Sequence, residues 1–115
     1  MAVVRSAHLA DGVTSDAVAR VIYTAPDGGV VVIKGVILAT LTAIAGFPAI
    51  AVLSCQFSGG SQVAIALASN GGTPFAEELY SWVVLPAGSQ LIFQGDGVNT
   101  WTVTVDGAVL PFNYT

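Results

Sequence analysis

The stretch Thr100-Trp101-Thr102-Val103-Thr104-Val105 decides the fold class, because polar and apolar residues alternate along it without a break. Successive side chains of a β-strand point to opposite faces of the sheet. Trp101, Val103 and Val105 therefore share one face, and the threonines share the other. This pattern predicts a strand that buries its tryptophan and its two valines in a core.

Turn residues flank this strand on both sides. Asp106-Gly107 is a strong signal for a two-residue hairpin, with Gly107 at a positive φ that a β-branched residue would resist. The hairpin would lead into a short strand over residues 108–110. On the other side, Gly95-Asp96-Gly97 predicts a hairpin turn after a strand over residues 90–94.

Segments of strand length and strand composition recur along the whole chain, with turn clusters every eight to twelve residues. They predict further strands over residues 18–24, 30–39, 49–57, 62–68 and 79–85. Residues 69–78 form the longest predicted loop. The pattern is typical of an all-β protein, a single antiparallel β-sandwich or jelly-roll-like domain of about eight strands. We assign residues 18–115 to this domain, and residues 1–17 to an N-terminal arm or an edge strand.

The long predicted strand over residues 30–39 is apolar on both faces, so both faces are expected to be covered. Simple alternation places Lys34 on one face. The opposite face would carry Val31, Ile33, Gly35, Ile37 and Ala39.

The composition is unusual for a small soluble domain: 54% of the residues are hydrophobic and 9% are charged. A typical domain has about 25% charged residues. A chain of 115 residues has a high ratio of surface to volume, so its own core cannot hold so much apolar material. We expect apolar side chains on the surface, where a large patch usually marks an interaction site.

The net charge of −4 argues against nucleic-acid binding and against attraction to an anionic membrane. Arg5, His8 and Asp11 interrupt the N-terminal apolar residues, so no secretory signal peptide is predicted. The uncharged residues 35–56 are numerous enough to span a bilayer. Gly46-Phe47-Pro48 breaks this segment, and we predict two strands of a buried hairpin rather than a transmembrane helix or membrane insertion.

No set of residues predicts catalysis, a metal site or a cofactor. His8 is the only histidine, and Cys55 is the only cysteine and is expected to be buried beside Leu53. Asp96 and Asn99 offer too few oxygen ligands for a calcium loop. The glycine pairs match no phosphate-binding loop. We therefore expect a protein that is not an enzyme.

Aromatic residues supply the candidate site. Tyr80, Trp82 and Val84 share one face of a predicted strand, and Phe75 lies in the loop before it. This group is a candidate interface or ligand platform. Two alternatives remain open, because flat rings are suited to core or subunit contacts and equally to stacking on a sugar.

Two turns echo each other by placing Pro-x-Gly before a strand, in Tyr23-Thr24-Ala25-Pro26-Asp27-Gly28 and in Val84-Leu85-Pro86-Ala87-Gly88. The segments that carry a wider resemblance are Ile22-Tyr23-Thr24-Ala25-Pro26-Asp27-Gly28 and Leu85-Pro86-Ala87-Gly88-Ser89-Gln90-Leu91. With the closing segment 101–107, their order resembles the small β-sandwich virion proteins of tailed bacteriophages over residues 18–110. The resemblance implies a non-enzymatic structural protein located in the virion, either in capsid decoration or in the tail.

The same resemblance implies the partners, which are further copies of this chain in a homotrimer and other virion proteins. The apolar composition independently favours a homo-oligomer, because closed symmetry covers identical apolar patches without open-ended growth. The alternative is a carbohydrate- or receptor-binding module on a phage tail or fibre, which would take a host surface glycan.

Overall fold

A computed structural model describes residues 7–40, 49–57, 60–70 and 75–111, and these residues contain eight strands and no helix. The all-β prediction is confirmed. The strands are β1 (Ala7–Thr14), β2 (Arg20–Thr24), β3 (Gly29–Thr40), β4 (Ala49–Gln56), β5 (Gln62–Asn70), β6 (Phe75–Leu85), β7 (Gln90–Gln94) and β8 (Trp101–Pro111).

The strands form two four-stranded antiparallel sheets that pack face to face. The first sheet has the order β1-β8-β3-β6, and the second has the order β2-β7-β4-β5. Every connection except the one from β4 to β5 passes from one sheet to the other. This connectivity is that of an eight-stranded jelly roll. The predicted fold class, an antiparallel β-sandwich, is thus confirmed.

The core lies between the sheets and is built by the residues that alternation selects. Trp101, Val103 and Val105 of β8 point into it and are at most 1% exposed, as the opening stretch predicts. Leu53 and Phe93 contribute from the second sheet. Cys55 is also fully buried, so the prediction for its thiol is confirmed.

The predicted hairpin at Asp106-Gly107 is wrong, because β8 runs straight through these residues to Pro111. Asp106 pairs with His8 of β1 on one side and with Gly35 of β3 on the other. Residues 108–110 are therefore part of β8 and not of a separate strand. The local turn preference of the dipeptide is outweighed by pairing on both sides.

Gly107 is required for a reason other than backbone torsion. Its φ lies outside the left-handed region, but a Cβ atom there would overlap the carbonyl oxygen of Val32. The same atom would lie 2.8 Å from Leu9 Cδ1 and 3.1 Å from Ile33 Cα. Only glycine allows the backbones to approach this closely.

The predicted faces of β3 are correct only up to Ile33. The register with both β6 and β8 shifts between Ile33 and Gly35, which is a β-bulge at Lys34. A bulge inserts one residue and exchanges the faces beyond it. Val36 and Leu38 are consequently buried, while Ile37 is only half-buried.

Three predicted connections also differ in the structure. β3 and β4 belong to different sheets and do not form a hairpin with each other, and residues 41–48 lie outside the described part of the chain. Residues 75–78 belong to β6 rather than to a loop. The turn at residues 95–97 joins β7 to β8 across the two sheets, so it is not a hairpin turn. Within the described residues, no helix is long and apolar enough to cross a membrane.

The two echoed turns lie side by side at one end of the sandwich. Ala25 N donates to Ser89 O at 2.8 Å, and Gly88 N donates to Ala25 O at 3.0 Å. Gly28 and Gly88 both adopt a positive φ, of 86° and 83°. Each turn thus uses its glycine for the backbone conformation that other residues resist.

Candidate interaction surface

The predicted platform lies on β6, an edge strand of the first sheet. Val84 pairs with Val32 and is 54% exposed. Tyr80 pairs with Gly35, and Phe75 pairs with Thr40 at the far end of β6. The side chains of Phe75, Tyr80 and Trp82 lie outside the described residues. The structure therefore places all four residues on one edge strand. Of their side chains, that of Val84 is described, and it is exposed to solvent.

A second surface, which the sequence reasoning missed, lies on the outer face of the second sheet. We call it the uncharged face, and it is formed by the side chains of β2, β4, β5 and β7 that point away from the core. Arg20 is the only charged residue in these four strands. It stands at the beginning of β2, where its guanidinium group binds Asp16.

Aliphatic side chains make up half of the uncharged face. Leu67 of β5 is 57% exposed, Val21 of β2 is 51% exposed and Ile50 of β4 is 43% exposed. Val52 and Ile92 lie between them and are half-buried. Such side chains are more often found inside a protein, and together they form an apolar surface that spans all four strands.

Amide side chains complete the uncharged face. Gln56 of β4 pairs with Gln90 of β7 on one side and with Gln62 of β5 on the other. This glutamine row crosses three strands, and Thr24 continues it onto β2. The amides give the face hydrogen-bonding capacity without any charge.

The outer face of the first sheet has a different character. Its strands contain five charged residues, which are Asp11, Lys34, Glu77, Glu78 and Asp106. Asp11 and Asp106 are exposed, and Asp11 pairs with the outward-pointing Thr104. Val13, 69% exposed, lies next to these polar residues. The outer face of the first sheet therefore carries at least two exposed carboxylates, and the strands of the uncharged face contain none.

Asp96 has a structural role that the sequence analysis did not identify. Its Oδ1 accepts hydrogen bonds from the backbone nitrogens of Val98 at 2.9 Å and Asn99 at 2.8 Å. Its Oδ2 accepts from Ile50 N at 2.9 Å, Asn99 Nδ2 at 2.9 Å and Trp101 Nε1 at 3.1 Å. Nitrogen donors thus surround both carboxylate oxygens, an arrangement suited to fixing a loop rather than to binding a cation.

The pKa of Asp96 reflects the same environment. Burial by itself raises the pKa of this carboxyl, but the hydrogen bonds from Asn99, Ile50 and Val98 hold it far below the ordinary value of aspartate. The ionised carboxylate ties the β7–β8 connection to the beginning of β4. It thereby supports one end of the uncharged face, where Ile50 lies.

A second carboxylate fixes the connection between β1 and β2. Arg20 donates to both oxygens of Asp16 at 2.6 Å, and Val18 N donates to Asp16 Oδ1 at 3.0 Å. The hydrogen bonds from Arg20 and Val18 hold the pKa of Asp16 well below its usual range. Because both side chains are half exposed, this pair orders a surface loop and contributes little to stability.

The described residues contain no group of three or more histidine, cysteine or acidic side chains that could hold a metal ion. A scan against protein-family models, a search of curated proteins and a search of solved structures each found no match. The class of protein is therefore defined by the fold alone, an eight-stranded jelly-roll β-sandwich. A jelly roll serves in capsids, lectins and enzymes alike, so the function has to be argued from the surface.

Proposed function

We propose that this chain is a non-enzymatic structural subunit of a bacteriophage virion, acting through contacts with its own copies and with other virion proteins. One observation carries the assembly part of the proposal. Aliphatic side chains are exposed on the outer faces of both sheets, as Val84 on one and Leu67 on the other illustrate. A domain that acted alone in solution would gain nothing from this surface and would risk aggregation.

The chemistry of the described surface favours assembly over catalysis. The carboxylates of Asp16 and Asp96 are occupied by hydrogen bonds that fix loops. Cys55 is fully buried, and burial raises the pKa of its thiol. The placement in a phage particle comes from the order of the two Pro-x-Gly turns and the closing strand, and the three-fold symmetry comes from the same resemblance.

Particle fractions provide the test. A lysate of the cells that produce this protein is separated on a density gradient, and an antibody raised against the purified domain is used to label the particles for electron microscopy. The proposal expects the chain in the particle band, with the label at regular positions on capsid or tail. A chain found only among free proteins, with unlabelled particles, contradicts it.

A further inference from the structure

We propose that the uncharged face of the second sheet is the surface through which copies of this chain contact each other, and that it lies against the symmetry axis of the oligomer. The inference rests on the proposed function, because it takes assembly as given. It differs from the sequence-based expectation, which placed the contact on β6 around Tyr80 and Trp82.

Charge is the first argument. A residue close to a rotation axis meets the same residue of the next copy, so a charge there opposes an identical charge. The outer face of the first sheet carries the exposed carboxylates of Asp11 and Asp106. The uncharged face holds no such group. Of the two outer faces, it is the one that identical copies can share.

Self-complementarity is the second argument. A glutamine amide donates and accepts hydrogen bonds, so the same glutamine in two copies can form a pair. Gln62, Gln56 and Gln90 form a continuous row of such groups. A carboxylate row would lack donors, and a lysine row would lack acceptors. The aliphatic side chains of Leu67 and Ile50 next to this row supply the apolar area that leaves water on contact.

The edge at β5 is the third argument. Natural sheets usually protect an edge strand with charges or proline. β5 contains neither over its nine residues, whereas β1 contains Asp11 and β6 contains Glu77 and Glu78. Another copy can therefore approach the uncharged face from the side of β5, where Ala64 and Leu67 are exposed.

Charge insertion tests the inference. Leu67→Glu and Ala64→Glu each place a carboxylate on the uncharged face. Leu67→Gln is the matched control, because glutamine has nearly the same shape as glutamate and carries no charge. Val13→Glu and Val84→Glu insert the same charge at exposed valines of the first sheet. The mass of each variant is measured by sedimentation velocity across a concentration series, and near-ultraviolet circular dichroism verifies the fold.

We expect both glutamate variants of the uncharged face to weaken association at least tenfold, while Val13→Glu and Val84→Glu assemble like the wild type. Leu67→Gln should weaken association less than Leu67→Glu, because it removes apolar area without adding a charge. Wild-type association in Leu67→Glu and Ala64→Glu would overturn the inference. Dissociation of the oligomer by Val84→Glu alone would place the contact on β6 and would also overturn the inference. Neither result affects the proposed function, which is tested independently by whether the chain is found in the particle fraction.

Discussion

The indole nitrogen of Trp101 donates a hydrogen bond to Oδ2 of Asp96 at 3.1 Å. The donor belongs to the largest fully buried side chain among the described residues, and the acceptor belongs to the connection between the two sheets. The same carboxylate oxygen accepts from Ile50 N at the beginning of β4. One carboxylate therefore joins the core, the β7–β8 connection and the uncharged face.

Replacing Asp96 should destabilise the domain strongly. Asp96→Ala removes the carboxylate that accepts from the Trp101 indole and the Asn99 amide in a buried environment, which should cost about 2–4 kcal/mol of unfolding free energy. Urea unfolding followed by tryptophan fluorescence measures the change. Asp27→Ala, in an exposed turn, is the control and should cost less than about 0.5 kcal/mol. Equal midpoints for the two variants would refute the role assigned to Asp96.

Acid should destabilise the protein through the same group. The pKa of Asp96 is lowered in the folded state, so the stabilisation is fully present above the unfolded pKa of about 3.9. It is lost as the pH falls further, because the unfolded chain then binds the proton more tightly. Urea midpoints at pH 7, 4, 3 and 2 should fall steeply below pH 4. Asp96→Asn should reduce this fall in the urea midpoint below pH 4. A pH profile of the variant that runs parallel to the wild-type profile would count against the interpretation.

Gly107→Ala should destabilise the domain even though its φ is compatible with alanine. The added Cβ atom overlaps the Val32 carbonyl oxygen and presses on Leu9, so the strands must separate at a cost of about 1–3 kcal/mol. Thermal unfolding provides the measurement. Val109→Ala, two residues further along β8 and at a 39% exposed position, serves as control and should lower the melting temperature far less. Equal melting temperatures would contradict the close approach.

The thiol of Cys55 should be unreactive in the native protein. It is fully buried, and burial raises its pKa, so little thiolate is present at neutral pH. A chromogenic disulfide reagent should modify it only after denaturant is added, with a rate that follows unfolding. Rapid stoichiometric modification without denaturant would show that β4 opens or is packed differently.

The sequence predicts the part of the fold that depends on local alternation. The strand at Trp101, Val103 and Val105 is correct because its two faces differ clearly in polarity. The register of β3 is not predictable in this way. A bulge at Lys34 exchanges the buried face from Ile37 to Val36, and both residues are apolar, so the composition gives no signal. Asp106-Gly107 has the residues of a hairpin turn, but pairing on both sides keeps it extended.

The interaction surfaces were predictable only in part. The strands β4, β5 and β7 contain no charged residue, and this signal was available in the sequence. The sequence does not give the strand order, and only the strand order places these three strands side by side with β2. The role of Asp96 was hidden for a similar reason, since its donor Ile50 lies 46 residues away in the chain.

The most direct test of the central claim, assembly with identical copies, is the mass of the purified wild-type chain in solution. The monomer has a mass of 11.7 kDa. Sedimentation equilibrium at rising concentration should give a closed oligomer, and the proposed trimer corresponds to about 35 kDa. A folded, soluble species of monomer mass at millimolar concentration, with Leu67 still exposed to solvent, would contradict the account.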